Sequence, residues 1–159
     1  MIARILVPID GSAHSSRAAE FATELAVRFE ASLTFLHVLD RVVAREQLKR
    51  YLAHLESARE PDQFEIESVE KTLARSGETE GRQLLDHLKS AAEAAGVREV
   101  DTSLLDGQPA RVIVGEAESG GYDLVVLGRR GAGGLKGLLA GSVSQRVASA
   151  ASATVVMVN

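Results

Sequence analysis

The sequence contains no cysteine and no tryptophan, three prolines, and aromatic residues at only 4% of its 159 positions. Without cysteine there can be no disulfide, thiolate metal site or cysteine nucleophile, and a reducing compartment is the natural setting. With few aromatics in a chain that is 45% hydrophobic, the core must be aliphatic and alanine-rich, which suits helices packed closely on a sheet. No apolar run approaches a membrane span. The opening residues, Met1-Ile2-Ala3-Arg4-Ile5-Leu6-Val7-Pro8, enter a strand at once and carry no signal-peptide pattern. A net charge of −4 and a pI near 5.6 predict no general attraction to nucleic acid or anionic lipid. The expectation is a cytoplasmic protein of one domain, with neither nucleic acid nor membrane as a partner. The four histidines, His14, His37, His54 and His87, are far apart and form no metal-ligand spacing, so no metal site made by side chains is expected. No carboxylate stands out as a water-activating base, so no catalytic residue is assigned.

What is present is an alternation of short aliphatic runs and amphipathic stretches. Ile5–Ile9, Leu33–Leu39, Glu99–Leu105, Leu124–Leu127 and Thr154–Val158 read as strands. Between them, Ala18, Phe21, Ala22, Leu25, Ala26 and Phe29 recur at helical spacing. Leu84, Leu85, Leu88, Ala91, Ala92 and Ala95 do the same before Gly96, and Pro109 opens a helix carrying Val112, Ile113 and Ala117. Continuous apolar strands alternating with helices predict an α/β fold, a doubly wound parallel sheet of five strands in the order 3-2-1-4-5 with helices on both faces. Residues 41–80 are the exception, with 16 of the 40 charged residues of the chain. Leu48, Tyr51, Leu52 and Leu55 make one narrow stripe; Ile66, Val69 and Leu73 make another. Glu60-Pro61-Asp62 separates them, and Ser76-Gly77 is expected to end the second. This segment reads as a charged helical insertion or lid ahead of the main crossover helix.

The chemistry concentrates after the fourth strand, from Gly128 to Ser142. Glycines here let backbone approach a ligand and turn its N–H groups inward. The helix that starts after Gly141-Ser142 adds unpaired donors and a dipole that favours an anion. Arg129, Arg130 and Lys136 supply positive charge. The loop meets neither G-x-x-x-x-G-K-[ST] nor G-x-G-x-x-G, since Lys136 stands where a third glycine should be. Ser119-Gly120-Gly121-Tyr122-Asp123 is similar to a pyrophosphate loop, but Leu124 breaks the pattern, and it precedes a strand; it reads as a helix end and a tight turn. In the 3-2-1-4-5 order a crevice opens between strands one and four, outside their carboxyl ends. Asp10, at the end of strand one, either accepts a hydrogen bond from an adenine amino group or ribose hydroxyl, or serves the turn before the first helix. Ser12 is the expected cap of that helix, with Ser15 as competitor.

At these residues the chain resembles the universal stress protein family. The family pattern G-x2-G-x9-G-[ST] is met by Gly128, Gly131, Gly141 and Ser142, and Ile5–Ser12, Leu36–Val38 and Asp123–Gly128 resemble its first, second and fourth strands. One departure lies before the last strand, where the family often has Cys-Pro and this chain has Ala153-Thr154. The resemblance implies an ATP-binding protein, with AMP or ADP as alternative ligands and magnesium as a companion of the phosphates near Ser142. It implicates Pro8, Ile9, Asp10, Val38, Leu127, Gly128, Arg129, Arg130, Gly131, Gly141, Ser142, Val143 and Ser144 in holding the nucleotide. It further implies a regulatory switch in a stress response. A slow ATPase or phosphotransferase and a nucleotide-independent dimeric adaptor are the alternatives. Thr154–Val158, an apolar edge strand, is expected to form a homodimer by pairing with its own copy; the downstream protein partner is unspecified.

Overall fold

The computed structural model describes residues 1–42, 44–46, 48, 63–131 and 141–159. Strands β1 (Arg4–Ile9), β2 (Ser32–Leu39), β3 (Val100–Asp106), β4 (Leu124–Gly128) and β5 (Thr154–Val158) form one sheet in the order β3-β2-β1-β4-β5, every pairing parallel. Helices α1 (Ala13–Phe29), α2 (Gln63–Ala94), α3 (Pro109–Ser119) and α4 (Ser142–Ala150) connect them. The expected fold class and strand order are those observed.

The period-two alternation of β1 sorts its side chains between two cores. Ile5, Val7 and Ile9 face a cluster with Ala18, Ala22 and Ala26 of α1 and Leu85 and Ala92 of α2. Leu6 faces the other cluster, with Ala110, Ile113 and Ala117 of α3 and Val147 of α4. Both faces of β1 are therefore dry, which is why the strand reads as a continuous aliphatic run.

Two features sort the bottom of the sheet. Ser119–Asp123 is a helix end followed by a turn, with Gly121 at φ +62°, as its sequence predicts. Asp123 then accepts hydrogen bonds from the amides of Ala3 (2.8 Å) and Arg4 (3.0 Å), fastening the start of β4 to the start of β1. Those two donors hold the Asp123 carboxyl below its usual range. Arg4 also lies over the Tyr122 ring at 5.0 Å, and the buried Tyr122 hydroxyl donates to Thr34 Oγ1 at 2.9 Å.

One expectation fails. Ser76-Gly77 does not end a helix: α2 runs unbroken from Gln63 to Ala94. A mid-helix glycine costs only about 1 kcal/mol relative to alanine, and local bonds carry the helix through. Ser76 Oγ donates to Glu80 at 2.9 Å, and Thr79 Oγ1 to the Arg75 carbonyl at 2.9 Å. A Cβ at Gly81 would lie 2.8 Å from the His37 ring and 3.1 Å from Leu104, so the glycine lets α2 sit close on β2 and β3. The insertion and the crossover helix are thus one element over 63–94. Tyr51, Leu52, Leu55 and the Glu60-Pro61-Asp62 break lie outside the described residues. Among the described residues no helix is long and apolar enough to cross a membrane.

Candidate functional site

The crevice expected at the reversal of strand order is built by unequal pairing. β1 is in register with β2 along its whole length, from Arg4–Ser32 to Ile9–His37, but with β4 only at Ile5–Leu124 and Leu6–Val125. Toward their carboxyl ends β1 and β4 part, and the segments that follow them face each other across the gap.

On the β1 side the chain turns at Asp10-Gly11-Ser12. Gly11 has φ +77°, a left-handed conformation that glycine adopts without penalty. Asp10 Oδ1 accepts from the Ser12 amide at 3.0 Å, and Ser12 Oγ caps α1 by accepting from the Ser15 amide at 3.2 Å. Ser15 does not cap; its buried hydroxyl donates back to the Ser12 carbonyl at 2.9 Å. The His37 ring Nδ1 lies 2.7 Å from the Ile9 carbonyl oxygen, a contact in which the ring N–H donates.

On the β4 side, Gly128 touches α1. A Cβ there would lie 2.8 Å from the His14 carbonyl carbon and 2.9 Å from the Ser15 amide nitrogen, so only glycine fits. The Arg129 amide donates to the Val158 carbonyl at 2.7 Å, extending the β4–β5 ladder by one residue. The Arg129 carbonyl accepts from the Gly141 amide at 2.8 Å and lies 2.9 Å from the Ser144 hydroxyl, which is also 2.9 Å from the Gly141 carbonyl. These bonds close the base of the glycine loop and set the start of α4 beside it. Gly141 occupies the cap position of α4 with no side-chain cap. The amides of Ser142, Val143 and Ser144 have no intrahelical acceptor, as at any helix start, so the helix presents donors and the positive end of its dipole toward the loop. Gly131 crosses the gap: a Cβ on it would stand 2.6 Å from Asp10 Oδ2. Gly141 lies close to the same backbone, its own Cβ position 3.6 Å from the Gly131 nitrogen.

The residues singled out from sequence therefore divide into three groups. Asp10, Gly128, Arg129, Arg130, Gly131, Gly141 and Ser142 come together around the mouth of the crevice. Ile9, Leu127 and Ser144 are nearby but buried. The side chains of Ile9 and Leu127 belong to the two cores, and the Ser144 hydroxyl is committed to backbone, so these three can offer a ligand main-chain groups only. Pro8, Val38 and Val143 are partly buried, Val38 and Val143 packing against the α3–α4 core. The two arginines differ. Arg129 Nη1 donates to Asn159 Oδ1 at 2.7 Å, and Arg17 Nε donates to the Asn159 carbonyl at 2.6 Å, so Arg129 is held toward the end of β5. Lys136 and the loop glycines at 133, 134 and 137 lie outside the described residues. Among the described residues no three His, Asp or Glu side chains cluster as a metal site.

Sequence reasoning missed Asn159 and Arg17, whose pairing needs the sheet order together with the α1 packing before it can be seen. It also missed the donation from His37 to Ile9. That contact was foreshadowed only by the polar residue in an apolar strand at the carboxyl end.

Comparison with known proteins agrees with this fold. The family model described as the universal stress protein family matches residues 1–159. The universal stress protein YxiE of Bacillus subtilis is 32% identical over 158 residues, covering 99% of each chain. Among solved structures, the universal stress protein UspA from Lactobacillus plantarum superposes with a TM-score of 0.80 at 23% identity, covering 99% of this chain and 97% of that one. A universal stress protein in complex with cAMP gives a TM-score of 0.64 at 23% identity, with 99% and 97% covered. An Arabidopsis thaliana family protein with AMP bound gives 0.62 at 19% identity, with 98% and 90% covered.

Proposed function

Given that the chain belongs to the universal stress protein family, we propose that it binds an adenine nucleotide in the crevice between β1 and β4, and that the bound nucleotide acts as a regulatory switch. The observation that carries this reading is the placement of the uncapped start of α4 beside the glycine loop, with Gly131 across the gap from Asp10. The phosphates lie at Gly141 and the amides of Ser142–Ser144, where donors and dipole converge, with Gly131 between them and Asp10. Arg130 adds charge at the same end. The Asp10 carboxylate repels phosphate, so it belongs to the nucleoside end, where Oδ2 accepts from a ribose hydroxyl or the adenine amino group. ATP, ADP and AMP all satisfy this arrangement, and magnesium accompanies the phosphates at Ser142. The relatives that carry cAMP and AMP support the ligand class.

The switch follows from what the loop contacts. Phosphate binding acts on the base of the glycine loop, which is bonded to β5 through the Arg129 amide and the Val158 carbonyl. β5 is the outer strand of the sheet, and its unpaired edge pairs with a second copy in an antiparallel homodimer. Mass spectrometry of nucleotide released from freshly purified protein tests the ligand. Thermal melts test its linkage to folding: at roughly 100 Kd, binding to the native state alone adds about 2.7 kcal/mol. No released nucleotide, no melt shift and no calorimetric signal with millimolar ATP together defeat the reading. Light scattering at micromolar protein tests the dimer, which a monomer mass defeats.

A further inference from the structure

A cavity of about 410 Å³ lies at the carboxyl end of β2, between Leu39–Arg41, Ala44, Arg45 and Leu48 on one side and the first half of α2 on the other. Its size falls within the range of small-molecule pockets, and among the described residues it shares no lining residue with the glycine loop. Leu39, Ala44, Leu48, Leu73 and Ala74 give it apolar walls, and Gly77 leaves it open where a side chain would fill it. Leu73 is 46% exposed, whereas Leu85 of the same helix is buried and Leu84 and Leu88 are partly buried.

Most charged groups of the rim have polar partners, the two arginines through ion pairs and Glu67 through a neutral amide. Arg41 is held by Glu78 at 2.7 Å and by Asp106. Arg45 Nε lies 2.8 Å from Glu70 Oε1, Glu67 accepts from Gln63 at 3.1 Å, and Asp40 is engaged as well. Lys71 lines the cavity and, among the described residues, has no acidic partner. An apolar pocket whose rim carries an exposed ammonium held in no ion pair among the described residues is complementary to a molecule with an aliphatic body and a single negative head.

We propose that this cavity is a second ligand site, separate from the nucleotide crevice, and that it takes a small amphiphilic carboxylate with its chain against Leu39, Leu48 and Leu73 and its head at Lys71. The ammonium is matched by the carboxylate, and the apolar walls are removed from water by the aliphatic chain.

Three probes of equal chain length, octanoate, octanol and octylamine, test it on the intact protein by ligand-observed NMR and calorimetry. The site predicts that octanoate binds at least tenfold more tightly than octylamine, with octanol between them. Lys71→Gln is expected to weaken octanoate about tenfold and leave octanol unchanged. Gly77→Leu, which suits a helix interior and fills the cavity, is expected to abolish binding of both; Ala74→Leu serves the same purpose should the first variant fold poorly. Failure of octanoate to bind the wild type at millimolar concentration overturns the proposal. So does equal binding of the three probes, or octanoate affinity unchanged in Lys71→Gln and in a folded cavity-filling variant. Because no crevice residue is altered, these outcomes are independent of whether the protein binds ATP.

Discussion

Asp10 Oδ2 stands 2.6 Å from the point where the Cβ of any larger residue at Gly131 would be. Moving the carboxylate aside costs the bond that its Oδ1 accepts from the Ser12 amide, just ahead of α1. The glycine at 131 is required by this apposition, since among the described residues only Gly11, Gly96, Gly107, Gly121 and the non-glycine Glu30 have positive φ.

Gly131→Val is therefore expected to displace Asp10 and reduce ATP affinity at least tenfold, with the fold retained. Gly141→Val probes a different requirement. Gly141 has φ −73°, and among the described residues a Cβ there meets nothing nearer than 3.5 Å, so the variant is expected to fold while blocking the approach of phosphate to the proposed site. Calorimetry on both variants, with circular dichroism as the control for folding, checks this. Unchanged ATP affinity in folded Gly141→Val rejects the proposed phosphate site.

Gly128→Ala is expected to destabilise the protein, because the added methyl meets main-chain atoms of His14 and Ser15 that cannot move without shifting α1. Overpacking of this kind costs about 1–3 kcal/mol. Urea unfolding should show a lower midpoint at an unchanged slope.

Ser144→Ala removes the hydroxyl that joins the start of α4 to the Arg129 carbonyl. The site is 3% exposed; the Arg129 carbonyl keeps the Gly141 amide as a donor, so the expected loss is that of one buried hydrogen bond, about 1 kcal/mol. Ser142→Ala, at an exposed neighbour, is expected to change stability little. A comparison of the two unfolding midpoints separates support of the loop from contact with ligand.

Acid sensitivity should come from Asp123 and Asp106, whose folded-state pKa values are lowered by the Ala3 and Arg4 amides and by Arg41 respectively. The unfolded carboxyl, near the ordinary value of about 3.9, binds a proton before the folded one does. Both groups therefore stabilise the fold above about pH 4, and the contribution is lost as pH falls through the depressed values. Asp123→Asn should flatten the acid limb of stability against pH, measured by urea unfolding from pH 6 downward; an unchanged limb contradicts the role.

The sheet was legible because each of its strands is short, aliphatic and bounded by a turn signal, and because parallel crossovers leave few ways to order them. Ser12 was legible as a cap, since a hydroxyl just ahead of a periodic run has few other uses. The extent of α2 was not. Ser76-Gly77 carries the usual mark of a helix end, and only the approach of Gly81 to His37 shows that the helix is held across it by packing. The glycine loop declared itself through spacing, but the division of labour between its two arginines did not. Arg129 is drawn aside by Asn159, 30 residues away, a relationship that no local pattern encodes.

The spacing of α1 from the sheet is set by Ala18, Ala19, Ala22 and Ala26, all nearly inaccessible to solvent. The same helix carries Ser12 and Ser15 at its start and rests against Gly128. Those methyl groups act as a gauge block: they fix how wide the mouth stands, several turns of helix away from it. A bulkier residue at Ala22 would tilt α1 outward and widen the mouth without touching anything inside. Tuning of ligand fit in such a protein can thus be hidden in the most ordinary part of its interior, where a survey of contact residues would never look.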